Sequence, residues 1–79
     1  MRDLFEIISE MLAVIPESET DLKTRLKSIR DSVPFTAPEM MATRWQQGQA
    51  VIAMYFNKLP NQLIDWERKV ISAWMGTEV

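Results

Sequence analysis

The chain has 79 residues, with eleven acidic and nine basic side chains, a formal charge of −2, and neither cysteine nor histidine. Disulfides and a zinc centre of cysteine or histidine ligands are excluded, and a chain this short buries only about 60–65 % of the surface its unfolded form exposes. Its longest uninterrupted apolar run, residues 50–56, is far below the roughly 20 residues that span a bilayer.

The reading in chain order is all-α. Leu4, Phe5, Ile7, Ile8, Met11, Leu12, Val14 and Ile15 fill half of a helical wheel, which predicts a first helix over residues 2–14, stopped by Pro16. The opening residues carry charges of both signs before any apolar run, unlike a secretory signal, so a cytoplasmic location is expected. Ser18 or Thr20 is expected to cap a second helix over residues 19–32, with Glu19 and Asp21 favouring its positive end. Its stripe of Leu22, Leu26, Ile29 and Val33 is narrow, and this helix is expected to be the most exposed.

Pro34 ends the second helix, and Thr36 with Glu39 reads as a capping box for a third helix over residues 37–57. Met41, Trp45, Gly48 and Ile52 form its first stripe. From residue 50 to 56 it is apolar all round, which predicts a segment surrounded by other elements. Gly48 costs about 1 kcal/mol against alanine inside a helix, so a close helix crossing or a kink is expected there. Pro60 breaks the chain, Asn61 is the expected cap, and a fourth helix follows over residues 61–75 and closes on Gly76. No stretch alternates with the period of a strand, and no repeat or linker divides residues 1–79, so one small four-helix bundle-like domain is expected. The last three or four residues are expected to fray.

Catalytic chemistry finds little to work with. The commonest proton carriers and nucleophiles are absent, and Glu6 with Glu10, or Glu17, Glu19 and Asp21, read as solvated charge and capping. The two glycines, Gly48 and Gly76, form no phosphate loop. Neither an enzyme nor a cofactor is expected.

The surplus of large apolar residues in the last third of the chain points instead to protein binding, with self-association through the third and fourth helices expected. On the fourth helix Leu63, Val70 and Trp74 form one stripe and Ile64, Ile71 and Met75 another. Glu67 projects between them, as a structural ion pair, with Arg44 the candidate partner, or as a residue that fixes register at an interface. Trp45 is expected in the core and Trp74 as an exposed anchor, because internal cover is scarcest near the chain end. The first helix can cover one stripe; the other, near Trp74, is where a partner is expected. Contacts are predicted to centre on Tyr55, Leu63, Trp66, Glu67, Val70 and Trp74.

The rival reading is a helix-turn-helix. Lys23, Lys27 and Arg30 share a side of the second helix, and Arg44 and Gln47 open the third, where base-reading groups would stand. Negative net charge and a turn without glycine weigh against it. A membrane-surface role is disfavoured by the same acidic balance. Small size, no cofactor ligands and surplus apolar surface suit an adaptor, inhibitor or regulator of the kind found among bacterial or phage accessory proteins.

Overall fold

The structure, a computed structural model, describes residues 3–77. Arg2, the expected first helical residue, lies outside them, as do residues 78–79 of the expected frayed end. Four α-helices follow one another: α1 (Leu4–Val14), α2 (Thr20–Ser32), α3 (Met41–Tyr55) and α4 (Asp65–Met75). Short 3-10 turns at Val33–Phe35, Pro38–Met40 and Pro60–Gln62 join the later helices, and the described residues contain no strand. The molecule measures 37 × 25 × 19 Å along its principal axes. None of the helices among the described residues is long and apolar enough to cross a membrane.

α1 starts where Asp3 caps it, its carboxylate accepting the Glu6 N–H at 2.8 Å. It ends at Ile15, extended ahead of Pro16, as the proline predicts. Its Leu4, Ile8 and Met11 are completely buried, because α1 packs against both α2 and α4. α2 in turn packs against α3. Its Leu22, Leu26 and Ile29, one per turn, are 2 %, 0 % and 9 % exposed. α2 does expose the largest share of its residues among the four helices, as expected, yet it is not peripheral, because it lies against both α1 and α3. A narrow stripe limits how many side chains a helix buries, not how deeply it buries them.

Neither Ser18 nor Thr20 caps α2; Glu19 stands at that position and makes no side-chain cap hydrogen bond. Nor does the Thr36–Glu39 capping box form. The Thr36 hydroxyl donates instead to the Ser32 carbonyl at 2.6 Å, closing the end of α2, and accepts from Arg44 Nε at 3.1 Å. Pro38 then starts a 3-10 turn, which delays α3 to Met41. At the other end, the expected fourth helix is shortened. Residues 60–62 make a 3-10 turn and Leu63 and Ile64 are extended, so α4 begins at Asp65 and Asn61 caps nothing. Gly76 does take the left-handed closing conformation, with φ 75°.

The segment 50–56 is not surrounded. Val51, Ile52 and Phe56 are buried, whereas Ala50, Ala53 and Met54 face outward. α3 sets one face on α2 and meets α4 through side chains, and the described chain has no further element to lay over the remaining face.

Candidate protein-binding surface

α4 carries two apolar stripes, and the fold covers one of them. Leu63, at 6 % exposure, and Val70, at 0 %, join the core beneath α1. On the other side, Ile64, extended just ahead of α4, is 57 % exposed and Met75 61 %, with Ile71 half-buried between them. Leu59, at the corner between α3 and α4, is 64 % exposed. The uncovered stripe is thus Ile64, Ile71 and Met75, with Arg68 among them and Asp65 and Lys69 beside it in an i,i+4 ion pair of 3.3 Å.

The residues expected to meet a partner sit mostly on the covered side. Leu63 and Val70 are interior, which corrects their assignment to an interface. Trp66 is half-buried with its ring edge-on to Phe56, at 5.9 Å between centroids. Tyr55 is half-buried against the core. Trp74, expected as an exposed anchor, packs instead on α3: its ring lies 5.5 Å from that of Trp45, and its indole N–H donates to Gln49 Oε1 at 2.9 Å. Trp45 itself is half-buried against the core cluster.

Glu67 is the buried polar residue of the core, 5 % exposed, and its setting is fully built. Lys58 Nζ donates to both carboxylate oxygens, at 3.1 and 2.8 Å, and the Ile64 N–H donates to Oε1 at 3.1 Å. The ion pair was expected, but the partner is Lys58 and not Arg44, which is turned towards Thr36 and Gln47. Burial pushes the Glu67 carboxyl up; the Lys58 ammonium and the Ile64 N–H outweigh it and hold the group below the usual carboxylate range. The same carboxylate therefore ties the 56–64 corner to the first turn of α4.

Of the basic residues of the rival reading, Lys23 and Lys27 line one open pocket on α2, and Glu17 and Asp31 line it with them. Lys23 reaches back to Glu17 at 2.7 Å and to the Ile15 carbonyl at 3.4 Å, and its hydrogen bond holds the Glu17 carboxyl below its usual range. Arg30 lies 5.6 Å over the Phe5 ring and pairs with Asp31. Lys27 and Gln47 are exposed, and Arg44 is half-buried. Residues 33–40, two 3-10 turns, separate α2 from α3, where a helix-turn-helix joins its helices by about 3–4 residues.

An open groove of about 530 Å³ also runs between α2 and α3, floored by Ile29 and Val51 and walled by Arg25, Ala50 and Met54. No protein family, curated protein or solved structure matches this chain.

Proposed function

We propose that this is a small cytoplasmic protein without catalytic activity, an adaptor, inhibitor or regulator that binds another protein through the uncovered stripe of α4. The observation that carries this reading is the contrast between neighbours of nearly equal chemistry: Leu63 is 6 % exposed and Ile64 57 %. Covering Leu59, Ile64, Ile71 and Met75 on association would remove apolar area from water at about 25 cal/mol per Å². Arg68, Asp65 and Lys69 would supply the polar rim that such contacts carry. The absence of catalysis is supported by the chemistry on hand: no histidine or cysteine occurs, and the buried carboxylate is already committed to Lys58.

The test is cross-linking in the native host followed by titration of the purified pair. A partner captured by the wild type and lost on the double substitution Ile64→Glu and Met75→Glu, with helicity unchanged, supports the reading. An identical captured set for both proteins overturns it.

A further inference from the structure

Phe35 is 91 % exposed, more than any other large apolar residue described. It stands on a rigid mount. Pro34 fixes the backbone ahead of it, residues 33–35 form a 3-10 turn, and Thr36 behind it is tied to the Ser32 carbonyl and to Arg44 Nε. An aromatic ring held out on such a turn loses little freedom when it is enclosed, which is what a binding anchor requires. The connection over residues 33–40 carries one charge, Glu39, which is exposed and makes no ion pair among the described residues.

The same chain carries the matching half. The groove of about 530 Å³ between α2 and α3 has Ile29 and Val51 as its floor, room for a phenyl ring, and one charge in its lining, Arg25. Arg25 meets Asp21 at 3.3 Å, but both side chains are well exposed, so that pair holds the guanidinium only weakly. Phe35 does not line its own groove. We infer that Phe35 of one copy seats in the α2–α3 groove of a second copy, with Glu39 against Arg25, in a reciprocal dimer. What selects a second copy is complementarity of shape and of sign on a single chain: ring with apolar slot, lone carboxylate with solvated guanidinium. In a reciprocal pair each of these contacts is made twice. A foreign partner of either charge would satisfy one half and leave the other in solvent.

The contact is small. Two rings of about 150–250 Å² each, with a polar rim, fall short of the roughly 800 Å² per partner of a standard interface, and a micromolar dimer is expected. It uses a different face from the proposed binding stripe of α4 and stands or falls separately. Sedimentation velocity from about 1 to about 300 µM reads it directly. The wild type is expected to pass from monomer to dimer. Phe35→Ala, which touches no core residue, is expected to weaken dimerisation more than about tenfold with far-UV circular dichroism unchanged. Arg25→Glu and Glu39→Arg are each expected to weaken it several-fold, and the double variant to recover, because the pair is restored with its signs exchanged. Met75→Glu on α4 is expected to leave the dimer intact. A wild type that stays monomeric throughout, a dimer indifferent to Phe35→Ala, or a double charge variant no better than the single ones overturns the inference; a dimer lost in Met75→Glu moves the contact to α4 and overturns it as well.

Discussion

The indole ring of Trp74 lies on the backbone of Gly48, so closely that a methyl group there would stand 2.6 Å from Cη2. α3 runs unbroken through this position, so the glycine marks no break in the helix. It is the seat of a side chain. Trp45 on one side and the hydrogen bond to Gln49 on the other hold the ring down, and in this way the end of α4 is fixed to the middle of α3.

Gly48→Ala is therefore expected to destabilise although alanine favours the helix. The intrinsic gain is about 1 kcal/mol, and overpacking against a pinned ring costs about 1–3 kcal/mol. A net loss of roughly 1 kcal/mol is expected in urea titration. Combined with Trp74→Leu, which removes the ring, the same alanine should become stabilising. A cycle in which the two changes simply add would contradict the contact.

Glu67 sets a dependence on pH. Its folded carboxyl ionises below the ordinary value of 4.5, so it contributes stability that is complete above that value and is lost as pH falls through the folded pKa. Stability measured from neutral pH downward should decline below about pH 4.5, and Glu67→Gln should decline less steeply over that interval while starting lower. Equal slopes would show that the pair with Lys58 contributes nothing to acid unfolding.

The two stripes of α4 should respond in opposite ways to truncation. Leu63→Ala opens a cavity in the core and is expected to cost about 2–5 kcal/mol, whereas Ile64→Ala should fall within about 0.5 kcal/mol of the wild type. Thermal melts of the two variants side by side decide this.

Thr36→Val keeps the shape of the side chain and removes its hydroxyl. The links to the Ser32 carbonyl and Arg44 Nε are lost together, and a cost of about 1–2 kcal/mol is expected, with earlier hydrogen exchange at the end of α2. Exchange unchanged at residues 32–36 would argue against this staple.

Four helices, their order and the stops at Pro16, Pro34 and Gly76 were legible in the sequence, because proline and glycine act on the backbone locally and a 3.6-residue period is a property of one helix alone. Helix starts were less legible. Thr36 had two carbonyl and amide partners within reach, and only the placement of Ser32 and Arg44 decided between them.

The binding surface was visible only as an ambiguity. On the wheel Glu67 stands between the two stripes and Arg68 at the outer border of the Ile64 side, so periodicity and charge gave no reason to turn one stripe inward. Position along the helix was the available clue: Glu67 stands in the first turn, where a carboxylate can accept a free backbone N–H and so be buried, and Arg68 has no such partner.

What the sequence determined by itself is an all-α chain with more apolar surface than one small core can take. Which surface stays outside was decided by tertiary structure alone. α1 lies on the Leu63 side of α4, Lys58 comes round the corner to neutralise Glu67, and Trp74 finds its seat on Gly48, 26 residues earlier in the chain. Those are contacts between elements, and a helical wheel contains only one element at a time.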